Sequence, residues 1–195
     1  MGHHPRVTST AYGDESEPDE RLAPGTYVLA LALIDDAVAE ECREVMRAAK
    51  LPAQRKLHFH SEGQRRRREL VARVAELEAV HLVAVRAAVA EHSERRRRMC
   101  LKAVLLELEH KFGVDQVALE ARERKQNERD LGLLAQLRSG RAIGSALRMY
   151  HPRGPGEPLL WVADVVAGAV TAHLQGEPEY FETLAGRITL YDVTD

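Results

Sequence analysis

Residues 7–34, VTSTAYGDESEPDERLAPGTYVLALALI, decide the fold that the sequence predicts. Residues 7–12 are rich in β-branched and aromatic side chains, which favour a short strand. The continuous apolar run at residues 27–34 has the length and composition of a buried strand. The segment between them contains prolines and Gly25, and its length allows an antiparallel hairpin with a long loop. The chain is therefore predicted to open with two paired strands.

After this hairpin, patterns with helical spacing alternate with short apolar or β-branched runs. Three further strands are predicted, at residues 81–89, 114–122 and 146–151. Helices are predicted to end near residue 49 and to span residues 64–77, 94–112, 127–137 and 159–174, and the tail ends in a strand-like segment. This order predicts an α/β fold in which a mixed five-stranded sheet carries helices on both faces. We expect residues 1–6 to be disordered and residues 7–195 to form a single domain.

Composition limits the class of protein. The 195 residues are 45% hydrophobic and 30% charged, which is typical of a globular chain and not of a disordered one. No apolar stretch reaches the roughly 18 residues that a membrane span needs. The net charge of -2 does not by itself indicate a nucleic-acid binder. The two cysteines provide no disulfide framework, which predicts a cytoplasmic protein.

Acidic residues lie where a divalent cation could be bound. Asp14 and Glu15 follow the first strand, and Glu120 lies in the strand predicted at residues 114–122, where alternation turns it away from Leu119. Asp164 lies within the apolar helix, where a buried carboxylate needs a partner, a metal ion or a raised pKa. Converging carboxylates are what Mg²⁺-dependent phosphodiester chemistry requires.

Each of these acids also has a plainer interpretation. Asp14 fits a turn residue in the sequence Gly-Asp-Glu-Ser, and Glu120 fits a solvated acid at a strand end. Asp164 fits a residue on the one polar face of its helix. The order of the three acids along the chain, more than any one of them, favours a shared site.

Two motifs resemble those of a known family, called domain of unknown function 3800. The first is Gly13-Asp14-Glu15-Ser16 after the first strand, and the second is LWVADVVAGA at residues 160–169. A Leu-His-Phe segment at residues 57–59 lies between them. The family typically has Asp-Glu-Ser-Gly and Leu-Gln-Leu-Ala-Asp motifs at the two ends, so the resemblance extends over roughly residues 7–175.

The resemblance implies a ribonuclease-H-like fold with a metal site for Mg²⁺ or Mn²⁺. It implies that Asp14, Glu120 and Asp164 are metal ligands, and that Glu15 and His58 assist as an outer ligand or proton carrier. The chain departs from the family pattern at three positions, where Glu17 replaces a glycine, Trp161 replaces a glutamine and Glu120 replaces an aspartate. These changes leave open a protein that keeps the fold but has altered or lost activity.

Histidines and arginines provide further candidates. His58 and His60 alternate along an extended segment, so both can face one side as metal ligand or base, or make ordinary strand-end hydrogen bonds. Two arginine runs, at residues 65–68 and 95–98, begin helices and indicate either a phosphate-binding surface or a solvated face balanced by glutamates. The candidate nucleic-acid contacts are Arg65, Arg66, Arg95, Arg96 and Arg122.

Two functional hypotheses follow from these observations. The first is a divalent-metal-dependent nuclease or phosphodiesterase that acts on nucleic acid. The second is a non-catalytic nucleic-acid-binding or protein-assembly module on the same fold, acting as a homo-oligomer or with a partner protein. The sequence does not distinguish DNA from RNA as the substrate.

Overall fold

A computed structural model describes residues 9–194 of the chain. The strands are β1 (Ser9–Ser16), β2 (Thr26–Asp35), β3 (Ala79–Ala87), β4 (Gln116–Leu119), β5 (Arg148–Tyr150) and β6 (Ile188–Asp192). The helices are α1 (Ala39–Ala49), α2 (Gln64–Glu76), α3 (Ser93–Glu107), α4 (Arg124–Ser139), α5 (Pro158–Leu174) and α6 (Glu179–Leu184). The disorder predicted for residues 1–6 and the predicted start of the first strand at Val7 lie outside the described residues.

All six strands form one mixed sheet in the order β5-β4-β1-β2-β3-β6. The predicted hairpin is confirmed, because β1 pairs with β2 in antiparallel fashion from Ser9 opposite Asp35 to Ser16 opposite Val28. Strand β3 continues this antiparallel arrangement beyond β2, and β4 pairs with the other edge of β1 in parallel. The short strand β5 extends the sheet beyond β4, again in parallel.

The prediction of five strands was wrong, because β6 adds a sixth. It pairs in parallel with β3, from His81 opposite Ile188 to Val85 opposite Asp192. The strand-like pattern at the end of the chain was visible in the sequence, but its partner is about 100 residues away. Pairing with β6 satisfies backbone groups along an edge of β3 that would otherwise be open.

The position of β2 inside the sheet explains why its sequence is continuously apolar. Nine of its ten residues are buried, and alternate residues face opposite sides of the sheet. Val28, Ala30, Ala32 and Ile34 contact one hydrophobic core, and Tyr27, Leu29, Leu31 and Leu33 contact the other. Strand β2 is therefore covered on both faces, as an uninterrupted apolar run predicts.

The helices cover the two faces unequally. Helices α1, α2, α5 and α6 contribute to one core, and α3 and α4 to the other. Helix α5 packs against β1 and β2, and its residues from Pro158 to Ala172 are all buried. No helix among the described residues is both long enough and apolar enough to cross a membrane.

Candidate functional site

Asp14 and Glu120 are brought together by the parallel pairing of β1 and β4. Gly13 lies opposite Leu119 in this pairing, and the Glu120 backbone N–H donates to the Gly13 carbonyl at 3.3 Å. Because paired residues of parallel strands face the same side, the next residues along, Asp14 and Glu120, point the same way. The two carboxylates therefore lie together where β4 ends, which is where open α/β sheets commonly place functional groups.

Asp164 approaches from α5 and anchors the segment before α2. Its side chain is 7% exposed. One carboxylate oxygen lies 2.7 Å from His58 Nδ1, and the other accepts the Phe59 backbone N–H at 2.6 Å. The sequence predicted that this buried acid needs a partner, and the structure provides two, a histidine ring and a backbone amide. The bond to Asp164 raises the pKa of His58, although partial burial opposes the shift.

Lys56 places an ammonium group against the carboxylates. Its Nζ lies 2.7 Å from each of the two oxygens of Glu120. Burial acts to lower the pKa of Lys56, but the hydrogen bond to Glu120 and the charges of Glu120, Asp14 and Asp164 raise it overall. A cationic side chain therefore already lies among three negative ones.

The pKa of Asp14 is affected by burial and by the other two acids. Burial, followed by the charges of Asp164 and Glu120, raises the pKa of Asp14 well above its ordinary value. Lys56 and His58 act in the opposite direction without cancelling the shift. Burial and the neighbouring carboxylates therefore favour the protonated form of Asp14, and perturbed carboxylates of this kind are frequent at functional sites.

One pocket opens on this cluster. Asp164 is not among its lining residues and lies behind His58. The lining residues are Gly13, Asp14, Glu15, Leu29, Lys56, His58, Arg97, Leu119, Glu120, Ala121 and Arg122. The pocket therefore brings together five of the residues predicted from sequence, namely Asp14, Glu15, His58, Glu120 and Arg122.

Glu15 faces a cationic wall of the same pocket. It forms an ion pair with Arg97, and its other oxygen lies 3.8 Å from Arg122 Nε. Arg97 is almost completely buried and also binds Asp130 at 2.7 Å. Asp130 in turn lies 3.2 Å from His151 Nε2. Glu15 is therefore part of a buried ion network beside the carboxylate cluster.

The two arginine runs lie on helices that cover opposite faces of the sheet. On α2, Arg65 and Arg66 bind Glu69 at 3.2 Å and 3.1 Å. On α3, Arg95 binds Glu91 at 2.7 Å, whereas the buried Arg96 lies 3.4 Å from Glu17. These four arginines thus have acidic partners, and none of them lines the pocket.

Lys56, Arg97 and Asp130 were missed as functional candidates. Lys56 had a usable signal, because alternation in KLHFH places it on the same side as His58, while Leu57 and Phe59 are buried in the core. Arg97 was hidden inside a run of four arginines. Asp130 lies in an ordinary helical pattern, and only the folded chain brings it to the network.

The carboxylates of the cluster have the donor chemistry of a divalent-cation site but not its arrangement. Among residues 9–194, no group of three or more His, Cys, Asp or Glu side chains is arranged to hold a metal ion. Glu120 has both oxygens on Lys56, and Asp164 has both on the segment around His58. The donor chemistry still fits Mg²⁺ or Mn²⁺, since carboxylate oxygens are the hard donors that these ions prefer.

Comparison with solved structures finds chains of similar fold. A chain in the structure of the PCNA:RNase HII complex from Archaeoglobus fulgidus matches with a TM-score of 0.54 and 15% identity, covering 91% of this chain and 78% of that one. The Q54A mutant protein of Bst-RNase HIII matches with a TM-score of 0.50 and 11% identity, covering 92% and 54%. No protein-family model matches the chain, and the search of curated proteins found no significant match. At these identities the likeness establishes a ribonuclease-H-like fold.

Proposed function

We propose that the chain is a divalent-metal-dependent nuclease or phosphodiesterase that acts on nucleic acid. The observation that carries this proposal is that Asp14 and Glu120, which are distant in sequence, line one pocket where β4 ends, and that Asp164 binds His58 on the wall of that pocket. The fold likeness to structures named RNase HII and RNase HIII supports nucleic acid as the substrate class. The likeness supports nucleic acid as the substrate, and the carboxylates support hydrolysis of a phosphodiester as the reaction.

Asp14 and Asp164 are the ligands in this proposal, and Glu120 is the third acid of the cluster. Hydrogen bonds to Asp164 from His58 and Phe59 are compatible with this role, because ligating carboxylates are themselves usually hydrogen-bonded. A bound Mg²⁺ or Mn²⁺ supplies positive charge that activates water and stabilises the departing oxygen. The paired strands β1 and β4 position Asp14 and Glu120, and α5 positions Asp164.

The remaining groups of the pocket handle protons and phosphate. His58 is held by Asp164 at Nδ1, which leaves Nε2 to accept a proton from the attacking water. The water oxygen bonds to phosphorus, the bond from phosphorus to the leaving oxygen breaks, and that oxygen takes a proton from solvent. Lys56 and Arg122, on the pocket walls, bind phosphate oxygens.

Cleavage assays on labelled DNA and RNA with Mn²⁺ test the proposal. We expect wild-type cleavage, and a loss of roughly 100-fold or more in Asp14→Asn and in Asp164→Asn, because each change removes charge where charge develops in the reaction. Asp192→Asn, on the exposed edge of β6, is the matched control and should cleave like wild type. Equal cleavage by all four proteins would show that the site is elsewhere.

A non-catalytic binding or assembly module is the second candidate. It is favoured by the engagement of Glu120 with Lys56, which leaves no ready coordination shell among the described residues. At two of the positions where the chain departs from the family pattern, Glu17 binds Arg96 and Trp161 donates to the Gly154 carbonyl. Binding of DNA or RNA without cleavage at any Mn²⁺ concentration would support this candidate.

We also propose that the chain belongs to the domain of unknown function 3800 family. The two motifs that carry the resemblance contain Asp14 and Asp164, and the charge of Asp164 raises the pKa of Asp14 although 150 residues separate them in sequence. The arginines at positions 65, 66, 95 and 96 remain proposed nucleic-acid contacts, which would have to exchange glutamate partners for phosphates.

A further inference from the structure

We propose that Arg97 and Arg122 form a phosphate-binding subsite of the pocket, and that the carboxylate of Glu15 occupies this subsite until a substrate phosphate displaces it. The inference rests on the proposed function, because it takes the ligand to be a phosphodiester group of nucleic acid. It requires no metal ion. It assigns Glu15 a role different from that of an outer metal ligand, and it brings Arg97 into substrate binding.

Arg97 brings a buried positive charge to the lining of the pocket. Its Nη2 atom binds Asp130 at 2.7 Å, and its Nη1 atom donates to the Tyr27 hydroxyl at 3.3 Å and also pairs with Glu15. Burial lowers the pKa of Arg97, although the charge of Asp130 acts in the opposite direction. Asp130 therefore compensates only part of the cost of burying this cation, which favours a further anion beside it.

The first turns of α4 fix Arg122. The Asn127 side chain accepts the Arg122 backbone N–H at 3.0 Å and donates to the Arg122 carbonyl at 3.3 Å. The Arg122 guanidinium donates to Asp130 from Nη2 and to Glu94 from Nη1, each at 3.3 Å. Asp130 thus binds both arginines and holds their guanidinium groups together before any ligand arrives. A preorganised pair of this kind binds an anion without first losing side-chain freedom.

Glu15 bridges the two arginines with a poor fit. One of its oxygens pairs with Arg97, and the other lies 3.8 Å from Arg122 Nε, which is too long for a hydrogen bond. Among residues 9–194, neither this Nε atom nor that of Arg97 has a hydrogen-bond partner, although both atoms are buried. A phosphate group spreads its oxygens over a tetrahedron, so it can contact both arginines at hydrogen-bond distance, and arginine–phosphate contacts are among the strong charge-assisted ones.

The exposure of Glu15 allows it to leave the subsite. Its side chain is 29% exposed, whereas that of Arg97 is 3% exposed. Breaking an ion pair whose acid is partly solvated costs far less than moving the buried cation. Asp14 and Glu120 line the same pocket, so a phosphate on the two arginines keeps the nucleic-acid strand against these carboxylates.

Binding of inorganic phosphate in the presence of EDTA, followed by phosphorus NMR, tests the subsite without a metal ion. We expect Glu15→Gln to bind phosphate about tenfold or more tightly than wild type, because the competing carboxylate is lost. Glu17→Gln removes the same charge from an exposed glutamate outside the pocket and should bind as wild type does. Glu15→Ala repeats the test if Glu15→Gln does not fold.

The arginines are tested in the Glu15→Gln background. Adding Arg122→Met should weaken phosphate binding by about tenfold or more, since a charge-assisted contact is lost. Adding Arg124→Met, at an exposed arginine of α4, should leave phosphate binding unchanged. An oligonucleotide without terminal phosphates should displace the bound phosphate, because the subsite takes a backbone phosphodiester group.

Each contrary result overturns a defined part of the proposal. Equal phosphate affinity in Glu15→Gln and Glu17→Gln would overturn the role of Glu15, and unchanged affinity after Arg122→Met would overturn the subsite. Displacement only by an oligonucleotide that carries a terminal phosphate would contradict a backbone phosphodiester as the ligand. If the wild type cleaves nucleic acid with Mn²⁺ while no variant binds phosphate, the inference alone fails. Phosphate binding as expected, without cleavage by the wild type, would contradict the proposed function alone.

Discussion

At the scale of single residues, Gly154 determines where the carboxylate of Glu120 can lie. All three atoms nearest to a Cβ built at Gly154 belong to Glu120. We expect Gly154→Ala to cost about 0.5–1 kcal/mol of unfolding free energy, because the flexible end of Glu120 must move away and lose its partly exposed ion pair with Lys56. Urea denaturation followed by circular dichroism measures this cost.

Two controls isolate the effect of the contact between Gly154 and Glu120. Gly156 lies in the same short 3-10 turn, with nothing within 4 Å of a built Cβ, so Gly156→Ala should be neutral or slightly stabilising. In a Glu120→Ala background, Gly154→Ala should no longer destabilise. A cost that persists in that background would mean that backbone strain, and not Glu120, requires the glycine.

A second residue-scale prediction concerns the buried His81. Neither ring nitrogen has a hydrogen-bond partner, and burial, with the charge of Arg187, lowers the pKa of His81 to about 4. The unfolded chain therefore takes up a proton near pH 6.5 that the folded chain resists until about pH 4. Stability should fall by roughly 3 kcal/mol across this range through His81 alone.

Comparison of variants isolates the contribution of His81 from that of the other titrating groups. Urea denaturation of His81→Leu between pH 7 and pH 4 should show a shallower loss of stability than wild type. His92→Leu, at an exposed histidine, should retain the wild-type slope. Parallel pH profiles for wild type and His81→Leu would exclude a neutral, buried His81.

At the scale of elements, the contact between α5 and the segment before α2 assembles half of the site. Gly168 of α5 gives Phe59 the space to pack, since a built Cβ would lie 2.7 Å from the Phe59 Cγ atom. We expect Gly168→Ala to cost about 1–3 kcal/mol, because the ring or the helix must shift. The same shift should weaken the contact between His58 and Asp164.

The control for Gly168→Ala is Gly132→Ala on α4, which places the same substitution in a different helix. Gly132 is exposed and nothing lies within 4 Å of its built Cβ, so alanine should stabilise the helix by about 0.5–1 kcal/mol. Opposite signs for the two substitutions in urea denaturation are the expected result. A stabilising Gly168→Ala would contradict the proposed packing of Phe59 against α5.

At the scale of the whole molecule, the sequence predicted what local patterns determine. Alternation and apolar runs located β1 to β5 approximately, and short acidic motifs located Asp14 and Asp164. The pairing of β6 with β3 depends on a contact over about 100 residues, which no local pattern encodes. The ion pairs Lys56–Glu120 and Arg97–Asp130 likewise join charges that are common on protein surfaces, and only the fold brings them together.

The central claim is that Asp14 and Asp164 hold a divalent ion beside the pocket. Diffraction from crystals soaked in Mn²⁺, with the anomalous signal of manganese, tests it most directly. The account predicts one anomalous peak at about 2.1 Å from carboxylate oxygens of both residues, and no peak in Asp14→Asn crystals. A peak on other residues, or a saturated soak of the wild type without any peak, would contradict the account.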